Sequence, residues 1–181
     1  MKQTILARRY AKALFSLGKD EGKFEEYNDT LSALAELYQQ APEVRDGLTN
    51  PIYPLEARRK VMTAIADSAK ADAMLTRFLG LLIDKKRADI LPDIAFEMQA
   101  MVDKEKNISH GSVISAVELD DALKEKIQAT LEKITGKKVL LETTVDPSIL
   151  GGIIAKVGDI VLDGSIRTQL SGLKDTIKGS E

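Results

Sequence analysis

The chain has 181 residues, 44% hydrophobic and 30% charged, with four tyrosines, four phenylalanines, no tryptophan and no cysteine. Its 26 Lys and Arg against 28 Asp and Glu leave a net charge of −2, which offers no general attraction for a nucleic-acid backbone. Zero cysteines exclude disulfides, thiolate metal sites and a cysteine nucleophile.

The length suits one large domain or two small ones. No apolar run reaches the roughly 20 residues needed to span a bilayer. The opening MKQTILARRYAKALF lacks the apolar core and small-residue cleavage site of a signal peptide, so a cytoplasmic location is expected.

Up to about residue 106 the apolar residues recur at helical spacing. Breaks fall at Gly18 to Gly22, Ala41-Pro42, Asn50-Pro51 to Pro54, Ser68 to Asp72, and Lys85 to Pro92. The pattern predicts a bundle of about six short helices.

Two of these helices carry more apolar surface than a one-sided helix needs. At 100° per residue, Leu6, Ala7, Tyr10, Ala11, Ala13, Leu14, Phe15 and Leu17 cover roughly 200° of the first helix. Met74, Leu75, Phe78, Leu79, Leu81, Leu82 and Ile83 do the same in AMLTRFLGLLID, where about 100° suffices for packing on one side. Either both helices are central and spend the whole arc on the core, or part of each arc forms a groove for a partner helix.

The polar stretch DKEKNISHG (103–111) reads as a connection, and it holds His110, the sole histidine. That residue is expected to be solvated or to cap a turn, which leaves no base for a serine triad. Glu25-Glu26 and Asp120-Asp121 stand at predicted helix starts, where negative charge offsets the helix dipole. Lys85-Lys86-Arg87 closes a helix in the complementary way.

Beyond the connection, SVISAV (112–117) reads as a strand. A one-sided helix follows, with Leu119, Leu123, Ile127, Leu131 and Ile134 on its apolar face and an end at Gly136. KKVLLETTV (137–145) is a second strand, and the tail returns to helical spacing through Ile166, Leu170, Leu173 and Ile177. The fold class is therefore two-domain and mainly α: a helical bundle over 1–106, then a smaller α/β domain over 107–181 with a hairpin-containing sheet and two helices.

The segment DPSILGGIIAKVGDIVLDGSIRTQL (146–170) holds four glycines and tests as a phosphate loop. A P-loop requires Gly-Lys-Ser/Thr after four intervening residues. Here five separate Gly152 from Gly158, and Asp159 follows, placing a carboxylate where lysine would meet phosphate. A dinucleotide turn must open a helix, whereas GGIIAKVGDIVLDG stays β-like. The segment reads instead as a hairpin turning at Gly158-Asp159, entered through Gly151-Gly152 and left through Asp163-Gly164-Ser165, with Ser165 capping the last helix. No catalytic, cofactor-binding or metal-binding residue is assigned. A nucleotide-binding enzyme using Gly151–Gly164 is the remote alternative.

LARRYAKALF, DKKRADILPDI and above all DPSILGGIIAKVGDIVLDGSIRTQL, with Gly151, Gly152, Gly158, Asp159, Asp163, Gly164 and Ser165 as its signature positions, resemble the delta subunit family of bacterial F-type ATP synthases. This family is equivalent to the mitochondrial oligomycin-sensitivity-conferring protein. The resemblance covers the whole chain in order, although Arg9 stands where some members have proline. It implies a six-helix bundle followed by a smaller α/β domain.

The implied role is that of a non-catalytic stator subunit. It would be held in single copy in a hetero-oligomer, peripheral to the cytoplasmic face of the bacterial inner membrane and not inserted in it. It would link the alpha/beta hexamer to the peripheral stalk, so that proton or sodium flow drives ATP synthesis. The implied partners are the N-terminal helices of the alpha subunits, bound by the bundle, and the C-terminal end of the b-subunit stalk, bound by the second domain. Carried onto this chain, the alpha-subunit groove has Tyr10, Ala13 and Leu14 on one wall and Phe78, Leu79 and Leu82 on the other. An adaptor of the same shape outside any ATPase is the alternative.

Overall fold

Helix α1 (Lys2–Glu21) runs through Gly18 and stops at Gly22, the far end of the break expected over Gly18 to Gly22. Gly22 takes a left-handed φ of 71°, Lys23 N–H reaches back to Gly18 C=O at 2.7 Å, and Gly22 N–H reaches Lys19 C=O at 3.2 Å, a Schellman closure. Gly18 serves packing instead. A Cβ there would stand 2.8 Å from Phe24 Cα and 3.0 Å from the Tyr27 ring, so its bare backbone is what lets α2 (Phe24–Gln40) approach.

The structure is a computed structural model and describes residues 2–147, 149, 151–166, 168 and 170. The chain divides into two units, 1–103 and 104–181. In the first unit, α1 and α2 are followed by α3 (Pro42–Thr49), α4 (Leu55–Ser68), α5 (Ala73–Asp84), a 3₁₀ turn (Ala88–Ile90) and α6 (Leu91–Glu105). The breaks follow local chemistry: Pro42 occupies the first turn of α3, and the Asp72 carboxylate accepts from Met74 N–H at 3.0 Å to cap α5. The core gathers Leu14, Tyr27, Leu31, Met62, Leu75, Leu79, Leu82, Ile94 and Met98, among others.

The connection expected over 103–111 is mostly structured. Helix α6 continues to Glu105 and strand β1 (Ile108–Ser115) begins three residues on, so the strand starts four residues before the predicted one and ends two before it. Asn107, at a φ of 56°, makes the turn, and its side-chain amide donates to Gly136 C=O at 3.1 Å. The polarity that suggested a linker belongs to the exposed last turn of α6 and to the outer residues of β1. His110 consequently sits in a strand, opposite Leu140.

Helix α7 (Asp121–Thr135) is capped by Asp120, which accepts from Leu123 N–H at 2.7 Å, and ends at Gly136 with a φ of 67°. It connects β1 to its parallel neighbour β2 (Lys138–Val145). Strand β3 (Ile153–Val157) pairs antiparallel with β1, and β4 (Ile160–Asp163) closes the order β2-β1-β3-β4. Val113, Val139, Ala155 and Val157 share a face and meet Ile127 and Leu131 of α7 in a small core. Leu123 and Ile134, predicted on the apolar face of α7, are exposed.

The glycine segment is the expected hairpin. Positive φ at Gly158 and not at Asp159 fits a type II′ turn. Gly152 has φ 86° and lies under the next turn of chain, where a Cβ would stand 2.3 Å from Gly164 C=O. Asp163 accepts from Ser165 N–H at 2.8 Å, and the Ser165 hydroxyl accepts from Thr168 N–H at 3.3 Å, making Ser165 the expected cap. Ile166, Thr168 and Leu170 are helical, while Leu173 and Ile177 lie outside the described residues.

These two glycines separate conformational from steric demand. Gly158→Ala has open space around it and should cost about 1 kcal/mol, the penalty for placing a Cβ in the left-handed region. Gly152→Ala adds a backbone clash and should cost more, so its thermal transition, followed by circular dichroism, should fall below that of Gly158→Ala. Equal transitions would contradict the close approach.

Candidate functional site: the outer flanks of the first and fifth helices

A helix in contact with a core turns one sector inward. In α1 that sector is Ala7, Ala11 and Leu14, each 0% exposed, with Gly18 beneath. Phe15 packs on Phe24 to one side of that sector, and on the other side four apolar residues form a strip: Leu6 and Tyr10 half-buried, Ala13 exposed, and Leu17 40% exposed. Their spacing of four, three and four residues keeps them in line over three turns.

Helix α5 divides likewise. Leu75, Leu79, Leu82 and Ile83 face the core, while Met74, Phe78 and Leu81 form the flank, with Leu81 42% exposed. The two flanks meet at one ring contact, Tyr10 edge-on to Phe78 with centroids 6.2 Å apart at 74°.

Of the six residues assigned from sequence, Tyr10 and Ala13 stand on this surface and Phe78 forms its floor. Leu14, Leu79 and Leu82 are 0% exposed and belong to the core behind it. The 200° arcs therefore contain both the inward sector and the flank, and the earlier choice of wall residues crossed from one to the other. Leu6, Leu17, Met74 and Leu81 take the place of the three leucines. The small residues Ala7, Ala11 and Gly18 mark the tightly packed side of α1 and could have shown which edge of the arc was free.

Two ion pairs hold α5 in place. Lys23, just after the first helix turn, pairs with Asp72 at the α5 cap, and Arg59 of α4 pairs with Asp84 at its other end. The hydrogen bond from Lys23, followed by that from Met74 N–H, holds the Asp72 carboxyl below its ordinary range, and Lys23 is raised in turn. Tyr27 donates to Glu21, and burial first, then that bond, pushes its phenol far above its usual range.

Other hollows are apolar too. One of about 530 Å³ lies between α2 and α4 beside Leu34, Leu37, Val44, Val61 and Ile65. Another, of about 290 Å³, separates α7 from the hairpin at Ile127, Leu131, Ile153 and Leu162. Strand β4 forms a sheet edge with Ile160, Val161 and Leu162 all more than a third exposed. Among the described residues, no group of three His, Asp or Glu side chains could hold a metal ion.

Comparison with known proteins gives a consistent result. A family model described as ATP synthase delta (OSCP) subunit matches residues 6–177. The chain is 67% identical to ATP synthase subunit delta of Desulfotalea psychrophila over 181 residues, covering 100% of both chains. It is 42% identical to the protein of that name from Desulfosudis oleivorans, covering 100% of this chain and 99% of the relative. In fold it is similar to a chain of the Toxoplasma gondii mitochondrial ATP synthase hexamer, with a TM-score of 0.68 at 22% identity and coverage of 95% and 97%.

The Lys23–Asp72 pair gives the anchoring of α5 a pH dependence. A carboxyl depressed in the folded state stabilises above its unfolded pKa, and that contribution is lost as pH falls through the folded value. Raised Lys23 loses its contribution only at strongly alkaline pH. Asp72→Asn keeps a good cap and removes the charge, so its urea midpoint should lie below wild type at pH 7, with the gap closing as the pH falls below the ordinary aspartate range of about 4. A gap independent of pH would show that the charge on Asp72 contributes nothing.

Proposed function

The chain belongs to the ATP synthase delta (OSCP) family, whose delta subunit is a structural stator component and not a catalyst, and on that premise we propose that the flanks of α1 and α5 hold an amphipathic N-terminal helix of an alpha subunit. The observation carrying the proposal is the continuous apolar strip Leu6, Tyr10, Ala13 and Leu17, joined by the Tyr10–Phe78 contact to Met74 and Leu81. A helix laid there would bury its apolar face against side chains of both helices, the helix-in-groove mode.

The work of such a subunit is to hold against torque. Nanomolar binding corresponds to about −12 kcal/mol. Apolar burial supplies the attraction, while lost motion and side-chain ordering offset part of it. A second attachment relieves that demand by raising the effective concentration at the first. The C-terminal unit takes that role and receives the end of the b-subunit stalk, with the open, apolar β4 edge as the supporting feature. The delta subunit is a peripheral part of a membrane-associated complex, and no described helix is long and apolar enough to cross a membrane. The cytoplasmic face is the side this reading assigns to it.

Titration calorimetry with an alpha-subunit N-terminal peptide tests the groove. Leu17→Ser and Leu81→Ser should each weaken binding about tenfold, the loss of one well-buried apolar contact, with little change in melting temperature. Unchanged affinity in both would refute the site. Leu79→Ala is the contrasting case, expected to lower stability by about 2–5 kcal/mol because it empties core volume. A fragment ending at residue 105 should retain the peptide and lose the b-subunit partner, whereas retention of both would refute the division of labour.

A further inference from the structure

Arg58 stands in the first turn of α4 and is 6% exposed. Buried arginines are ordinarily paired, because a guanidinium carries five donors and its removal from water is costly unless they are met. The Arg58 Nε is fully buried and has no hydrogen-bond partner among the described residues. Unsatisfied buried donors of this kind are rare in native proteins and call for an explanation.

The side chain lines a cleft of about 270 Å³ whose other walls are Leu48 and Thr49 at the end of α3, and Lys86, Ala88 and Asp89 in the connection from α5 to α6. Two cations against one carboxylate leave the lining one positive charge in excess. Thr49 adds no free donor, since its hydroxyl already donates to Arg45 C=O at 2.6 Å. Tyr38, close enough to feel Asp89, supplies no counter-charge either: burial first, then the Asp89 charge, raises its phenol and keeps it neutral.

We propose that this cleft is a binding site for a single small oxyanion, a carboxylate or phosphate group held by the Arg58 guanidinium and screened at its mouth by Lys86. The terminal amino groups of the guanidinium match two oxygens of such a group, drawing charge toward the enclosed Nε, and exposed Lys86 adds a mobile charge. Asp89 at the same rim limits the charge the site accepts. The site shares no residue with the α1 and α5 flanks and does not depend on their reading. Its ligand is either free in solution or a carboxylate presented by another polypeptide.

The test uses the full chain, with inorganic phosphate and acetate as probes and chloride at matched ionic strength as the control. The Arg58 Nε–Hε signal, assigned by its loss in Arg58→Met, should shift saturably with phosphate, and the melting temperature should rise with ligand as mass action requires. Arg58→Lys keeps the charge without the fork and should weaken binding about tenfold. Lys86→Gln, at an exposed position, should weaken it about threefold. Arg58→Met should abolish the ligand-dependent rise while keeping the packing of the stem. An acetate response comparable with that of phosphate supports a carboxylate from a partner, and a response to phosphate alone supports the free ion. No saturable response to either probe up to about 50 mM, well beyond millimolar binding, would overturn the proposal, as would an Arg58→Met variant that responds like wild type.

Discussion

A helix packed on one side needs an apolar stripe of about 100° or somewhat more, and α1 and α5 each carry apolar side chains over roughly 200°. The first unit is arranged around this excess. The inward sector is spent on the closest packing available, with Ala7, Ala11 and Leu14 fully buried and Gly18 allowing α2 to approach. The remaining sector is covered less completely: Leu6, Tyr10 and Met74 are half-buried, and Leu17 and Leu81 are exposed.

Rigid presentation matters as much as the apolar surface itself. The strip is useful to a partner only if α1 and α5 keep their spacing. The Tyr10–Phe78 contact fixes it at one point, and the ion pairs at Asp72 and Asp84 hold α5 at its two ends. Surface ion pairs contribute little to stability on their own, so these act chiefly as positioning contacts over a core that supplies the folding energy. The second unit follows a different plan, with a few buried side chains between one helix and one face of a mixed sheet, and with backbone closures at Gly152, Asp163 and Ser165 locking the hairpin to the chain that follows.

The buried Arg58 is the exception to this economy of apolar packing. Among the described residues the other buried side chains of the first core are apolar or nearly so, Asn28 apart, whose amide donates to Gln99 at 2.7 Å while its Oδ1 is left unpaired. A cation kept where the same volume could hold methionine carries a desolvation cost that Asp89 in the same cleft, shared with Lys86, meets only in part.

Much of this was legible in the residues alone. Helical periodicity, Pro42, Asp120 and Gly136 set the element boundaries through local capping and φ preferences, and the hairpin at Gly158 and its cap at Ser165 followed from turn chemistry that acts within a few residues. The signature segment likewise carried the family, and with it the stator role. What local chemistry could not give was the division of each apolar arc between core and surface, because that depends on which neighbours a helix meets. Leu14, Leu79 and Leu82 passed to the interior and Leu17 and Leu81 to the flank through tertiary packing alone. In the same way the close approach at Gly18 emerged, His110 moved from linker to strand, and Arg58, one cation among many in the sequence, became notable only when the fold buried its Nε without a partner. Sequence determined what each segment could form, since those preferences are local; the tertiary structure decided which faces remained free, since burial is a property of the whole assembly of helices and strands.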